Sequence, residues 1–175
     1  AGDRTAINLA GDGADEVERG DVLVKPGSMQ ATSMLDVDLR LLESAPKHLE
    51  QHTRLRLHIG TVEALGRVVL LRDSTLEPGQ QTMAQIRLER PVVAAFGDRF
   101  VVRRYSPAVT IGGGTVLDPS PDKHREGEIS AALRLDDLSE GSLSAALIAW
   151  VRHRGRLAPT MLDAAKAFAA DPDLI

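Results

Sequence analysis

Apolar and polar residues alternate one by one through the first two thirds of this chain. A period of two constrains the fold more than any other feature, because only an extended strand sends successive side chains to opposite faces. Leu35, Val37, Leu39 and Leu41 alternate with Asp36, Asp38 and Arg40, and Leu55, Leu57 and Ile59 alternate with Arg54, Arg56 and His58. Each run reads as a strand with one dry and one wet face, and Asp36 and Asp38 then belong to the wet face rather than to an acid–base pair. Gly60 to Arg72 reads as a strand pair bent at Leu65-Gly66, Leu76 to Gln80 contains a Pro-Gly turn, and Thr82 to Leu88 alternates again. Arg99 to Arg104 sets Phe100 and Val102 among charged neighbours after the Gly turn at Phe96 to Asp98, and it ends on two adjacent arginines. Short strands separated by turns make an antiparallel sandwich or barrel, so Ser28 to Pro119 is expected to close as a barrel of about six strands, with no long helix inside it.

Three consecutive glycines, Gly112 to Gly114, close this β region. They are no phosphate loop, which needs a Lys and a Ser or Thr at its helical end, whereas Thr115 begins a strand. They imply close backbone approach or positive φ. After Pro119 the texture changes. Pro119, Pro121 and the polar run Asp122 to Glu128 read as a linker, taken as 120–141, and helical spacing follows. Ser142 to His153 reads as an amphipathic helix capped by Ser142 or Ser144, and a second helix begins near Pro159 and Thr160 and carries Ala164, Ala165, Ala167 and Phe168. At the other end, Arg4 to Ala10 and Asp21 to Lys25 read as strands with too few residues to complete a barrel of their own. The chain therefore reads as a fragment whose residues 1–27 belong to a separate, incomplete barrel.

With 175 residues and 43% hydrophobic content the chain can build a core, but aromatics at 3% make that core aliphatic and argue against base stacking as a main mode of binding. There is no cysteine, which excludes disulfides, thiolate zinc sites and a cysteine nucleophile. The longest apolar runs, such as Ala145 to Val151, fall far short of the roughly 20 residues a bilayer needs, and the N-terminus does not resemble a signal peptide, so a cytoplasmic location without membrane association is expected. The net charge of −4 hides an uneven distribution. Between Thr53 and Arg104 nine arginines face five acids, a local +4, while acids gather in Asp12 to Glu18 and Glu126 to Glu140. An ordinary solvated barrel surface accounts for the count alone. The use of Arg with no Lys in that window favours a phosphate-binding face, since the rigid guanidinium fork suits that partner.

Catalysis finds no support. His48 and His52 stand four apart, but the residues between them do not make a zincin motif, and solvated loop histidines fit better than metal ligands. There is no nucleophile elbow and no convincing Ser–His partnership.

Several ordered segments carry a resemblance. Gly2-Asp3-Arg4-Thr5-Ala6-Ile7-Asn8-Leu9-Ala10-Gly11, Glu18 to Leu23 and Lys25-Pro26-Gly27 resemble the end of the second domain of the elongation factor Tu superfamily, and the segments downstream resemble its third domain. Arg4, the Gly66-Arg67-Val68 strand, the Thr110-Ile111-Gly112-Gly113-Gly114 ending and a helical appendage after Pro119 are most similar to the selenocysteine-specific factors, the SelB family. The resemblance covers Ala1 to about Pro121, and 142–175 more weakly as the start of a winged-helix domain. It implies a mainly β architecture: an antiparallel Greek-key barrel of the elongation factor Tu domain III type over 28–119, followed by a short helical segment. The chain contains no Walker A loop, Walker B Asp or guanine-specificity motif, so the resemblance implies that a parent GTPase carries its GTP and Mg in a G domain upstream of Ala1.

The same resemblance implies roles. The third barrel of such factors grips the T stem of an aminoacyl-tRNA through backbone phosphates and sugars, and the matching positions here are Arg54, Arg56, Arg67, Arg90 and Arg104 with Tyr105. For Arg99 and Arg103, ion pairs with Asp98 or Glu89 are the expectation instead. Arg4 falls where the second domain faces the esterified amino acid, and a cation there suits a selenolate, which is charged at neutral pH when Cys and Ser are not; a surface strand residue pairing with Asp3 or Asp21 is the alternative. The implied partners are selenocysteyl-tRNA, the ribosome and, through downstream winged-helix domains, an mRNA selenocysteine-insertion hairpin at UGA. Barrels of elongation factor Tu or initiation factor 2 gamma type, and a protein-interaction barrel without RNA, are the alternatives.

Overall fold

The computed structural model describes residues 5–139, 143–153 and 160–169. Among these, the strands are β1 (Ala31–Leu41), β2 (Leu49–Glu50), β3 (Arg54–Ile59), β4 (Val62–Leu70), β5 (Thr75–Leu76), β6 (Gln81–Val93), β7 (Arg99–Arg104) and β8 (Thr110–Asp118), followed by helices α1 (Ile129–Ser139), α2 (Leu143–His153) and α3 (Met161–Phe168). Six strands close into an antiparallel barrel in the order β1-β6-β4-β3-β7-β8, and β2 and β5 form a small separate pair. β1 hydrogen-bonds to β6 and β8, both distant in sequence, as a Greek-key path requires.

The alternation in the sequence places the core as expected. Leu35, Val37, Leu39 and Leu41 of β1 and Leu55, Leu57 and Ile59 of β3 point inward and are buried, with Val68, Ile86, Phe100, Val102 and Val116 from the other strands. Aliphatic side chains fill the barrel because β-branched and leucyl groups suit a pleated, two-sided surface. β8 runs between β1 and β7, and its three glycines are explained by closeness: a Cβ on Gly113 would stand 2.5 Å from the Phe100 carbonyl oxygen, and those on Gly112 and Gly114 would collide with the carbonyls of Arg40 and Asp38. No positive φ is involved there.

Gly60 to Arg72 is not a bent strand pair. The hairpin turn falls at Gly60, whose φ is +54°, and β4 runs unbroken through Gly66. Gly66 is in the strand because β6 leaves no room for a side chain; its Cβ would lie 2.8 Å from the Arg87 carbonyl oxygen. Residues 5–27 form no strand either; they hold one short 3-10 turn, Ala14–Glu16. Alternation makes a strand only where another edge accepts its hydrogen bonds, and among the described residues none pairs with this segment.

The expected linker over 120–141 contains a helix. α1 lies within it and rests on the outer faces of β1, β6 and β8. Barrel residues that point outward here, Val69, Met83 and Leu117, join Ala131, Leu135, Ala149, Trp150, Ala164 and Phe168 in a second core. Phe168 stacks near Phe96 at 4.7 Å between ring centroids and meets Trp150 edge-on at 5.8 Å, and the Phe96 backbone N–H donates to the Ala167 carbonyl at 2.8 Å. α3 starts where expected, with Thr160 and Asp163 forming a capping box. α2 begins at Leu143; Ser142 lies outside the described residues and Ser144 sits inside the helix. Among the described residues no helix is long and apolar enough to cross a membrane.

Candidate functional site

β3 lies opposite β1 across the barrel, with two strands between them in either direction, so its outer face is turned from the helices. Its outward residues are Arg54, Arg56 and His58, and both arginines have arginines beside them. Arg54 stands opposite Arg67 of β4, Arg56 stands opposite Arg103 of β7, and Arg67 in turn stands opposite Arg87 of β6. Like charges directly opposed in a ladder weaken it. The band is therefore not what stability alone would select.

Acids on the neighbouring strands divide the band into pairs. Glu89 takes the Arg54 fork through two bonds of 2.7 Å, Nε to Oε1 and Nη2 to Oε2, while the Glu63 carboxylate is bonded by Arg56. These contacts hold both carboxyls below the usual carboxylate range, and Glu89 raises Arg54 in return. Tyr105 lies beneath both guanidinium groups, its ring centroid 4.4 Å from Arg54 and 5.3 Å from Arg56, and its carbonyl accepts from Arg56 Nε at 3.2 Å. Arg67 donates to the His52 carbonyl at 3.0 Å, and Arg90 donates Nε and Nη2 to the Glu63 carbonyl at 3.2 and 2.5 Å.

Arg104 occupies a different position. It pairs with the inward Leu55, so it stands at the mouth of the barrel; its backbone N–H donates to the Val109 carbonyl at 2.9 Å, and among the described residues its side chain makes no hydrogen bond or ion pair. There it lines a cleft of about 280 Å³ with Arg54, Tyr105, Lys47 and His48. The structure thus brings Arg54, Arg56, Arg67, Arg90, Arg104 and Tyr105 to one side and one end of the barrel. Arg4 lies outside the described residues.

Two sequence expectations are corrected. Glu89 pairs with Arg54, and Asp98 accepts the Ala95 backbone N–H at 2.8 Å, so neither acid pairs with Arg99 or Arg103; Arg103 is bonded to the Ala108 carbonyl. Asp36 is not on a wet face. It is 2% exposed beneath the segment that follows β8, with His124 Nε2 at 2.6 Å from its Oδ2 and Gln85 Nε2 donating to its Oδ1 at 2.9 Å. Gln85 also donates to the Asp122 carbonyl at 2.8 Å and accepts from Arg87 Nε at 3.1 Å and the His124 N–H at 3.3 Å. Burial pushes the Asp36 carboxyl up against the opposing pull of His124 and Gln85, and the bond from Asp36 pushes His124 up. The sequence signal for this junction is slight: a glutamine between Ala84 and Ile86, and one histidine in the polar run after Pro121. His48 and His52 are paired with acids, Glu50 at 3.0 Å and Glu126 at 2.5 Å. A larger cleft, about 640 Å³, opens at the helix–barrel junction, but Asp36, Asp118, Asp122 and Asp163 line it beside Arg134 and Lys166, a mixed lining ill suited to a polyanion.

A closed six-stranded antiparallel barrel followed by short helices is a fold shared with a solved translation elongation factor. A crystal structure of a bacterial selenocysteine-specific elongation factor matches this fold with a TM-score of 0.66 at 19% identity, over 91% of this chain and 24% of that one. The model of the selenocysteine-specific elongation factor β-barrel domain matches residues 36–123, and the chain belongs to that family. Among its relatives, the selenocysteine-specific elongation factor of Desulfomicrobium baculatum is 38% identical over 125 residues, 71% of this chain and 20% of that protein. The Haemophilus influenzae protein of the same name is 29% identical over 131 residues, 74% of this chain and 20% of that one. The chain thus spans about a fifth of the length of these relatives.

Proposed function

We propose that this barrel holds the T stem and acceptor end of selenocysteyl-tRNA in a factor that delivers it to the ribosome for recoding of UGA. The observation that carries the proposal is the arginine band of β3, β4 and β7, in which like charges stand opposite one another on the barrel side that the helices leave open. Self-repelling charge of this kind is relieved by a polyanion, and guanidinium forks suit phosphodiesters. The mechanism is binding without chemistry in this segment. GTP, Mg and their hydrolysis belong to a G domain elsewhere in the parent, residues 1–27 to the end of its second barrel, and 142–175 to the start of a winged-helix region that leads to the mRNA hairpin. The factor works in the cytoplasm.

Substituting Arg56, Arg67, Arg90 or Arg104 by Ala in the full-length factor is expected to weaken tRNA binding by about 1–3 kcal/mol each and to reduce the salt slope by about one, largely independently of the amino acid carried. Four variants with unchanged affinity and slope would leave a protein-interaction barrel as the better reading. Arg4 is assigned to the selenolate on charge alone. Arg4→Ala is expected to weaken selenocysteyl-tRNA and spare seryl-tRNA, with Arg4→Lys intermediate; equal losses for both would remove the assignment.

A further inference from the structure

We propose that Glu63 and Glu89 are selectivity gates: their carboxylates occupy Arg56 and Arg54 in the unbound protein and yield them only to a structured RNA backbone that offers several phosphates at once. The inference rests on the RNA-binding reading and adds what that reading omits, a reason for acids inside the cationic face. Glu89 satisfies the Arg54 fork with two bonds of 2.7 Å, the same bidentate geometry a phosphate would use. Glu63 is bonded by Arg56, stands 3.7 Å from His58 Nε2, and engages Arg90 through its carbonyl. The two pairs are open to water, with side chains 33% and 42% exposed for Arg54 and Glu89 and 30% and 46% for Arg56 and Glu63. Pairs this exposed add little to folding and can exchange partners.

Tethering decides who displaces them. A carboxylate held in the same sheet, Glu63 on the adjoining β4 and Glu89 on β6 one strand further, is at high effective concentration, so one phosphate of a flexible strand competes poorly for one arginine. A rigid duplex that engages the open Arg104 and reaches Arg67 and Arg90 as well presents its next phosphate at comparable effective concentration and can displace the acid. Each gate also cancels one positive charge, which lowers attraction for any polyanion that cannot make the exchange. The acids therefore subtract more from indiscriminate binding than from the fitted complex.

Glu89→Gln and Glu63→Gln in the full-length factor, with poly(U) and selenocysteyl-tRNA as probes across a salt series, test this. Gln keeps size and polarity, and thermal melting confirms that each variant folds. Each is expected to bind poly(U) more tightly, by up to about tenfold near 0.1 M salt, with a salt slope steeper by about one. Selenocysteyl-tRNA should gain less, so the ratio between the probes shrinks. Unchanged affinities, equal gains for both probes, or weaker binding of both would overturn the gate; the last would mean that the acids position the arginines. Arg54→Ala and Arg56→Ala separate the two levels. If these lose tRNA affinity while the Gln variants leave the ratio intact, the gate falls and the RNA-binding reading stands; if they lose nothing the gate falls, and the RNA-binding reading falls with it only if Arg67→Ala, Arg90→Ala and Arg104→Ala also lose nothing.

Discussion

The outer faces of β1 and β3 have the same sequence texture, charged residues between leucines, and opposite fates. On β3 the charges stay in water: Arg54 and Arg56 are held by exposed acids and by the Tyr105 ring. On β1, Asp36 is sealed beneath His124 and Gln85 by the segment leading to α1. What differs is the cover. Helices packed on β1, β6 and β8 turn polar strand residues into a buried network, and the side they leave bare keeps a water-exposed band of arginines, two of them paired with exposed acids. A charge on a barrel strand thus takes its role from what folds over it, so the two sides should respond differently to the same kind of substitution.

The largest expected effect is on stability at the covered side. His124→Ala or Asp36→Ala leaves one member of a buried pair without its partner and should cost about 3–5 kcal/mol in denaturant unfolding. Arg54→Ala on the open side should cost less than about 1 kcal/mol, because its pair with Glu89 is exposed. Similar losses at both would break the contrast.

A smaller effect is expected from pH. Both covered groups have folded values above their ordinary ones, so the stabilisation linked to their protonation is complete at low pH and is lost as pH rises. For His124 the loss begins above 6.5 and runs through its raised value; for Asp36, where burial outweighs its hydrogen bonds, ionisation is the costlier state from 3.8 upward. Melting temperature should therefore fall as pH rises above about 6.5, and His124→Gln should flatten that slope. An unchanged slope in His124→Gln would remove the pair from the account. The smallest effect is Glu89→Gln on folding, expected below about 1 kcal/mol even where it alters RNA selectivity.

Much of this was legible in the sequence, and the misses share a cause. Alternation located the barrel, its inward leucines and its arginine-rich outer face, because a strand's faces are fixed by backbone geometry. The glycines of β8 announced close approach, and Thr160 announced α3. Strand formation in 5–27, the bend at Gly66, the linker over 120–141 and the wet Asp36 each depended on a neighbour distant in sequence. Pairing edges, crowding by β6 and a helix folded back on the barrel leave no local signature. Arg99 and Arg103 failed likewise: the nearest acids in sequence were not the nearest in space, since Glu89 reaches across β4 to Arg54.

The contrast between the two sides is tested most directly by the salt dependence of selenocysteyl-tRNA binding to the full-length factor carrying either Arg67→Ala or Arg72→Ala. Arg67 lies on the open side, bonded to the His52 carbonyl, and Arg72 lies on the covered side, paired with Asp136 of α1. The expected result is a slope reduced by about one for Arg67→Ala and unchanged for Arg72→Ala. Equal reductions, or a reduction for Arg72→Ala alone, would contradict the assignment of the uncovered face to RNA.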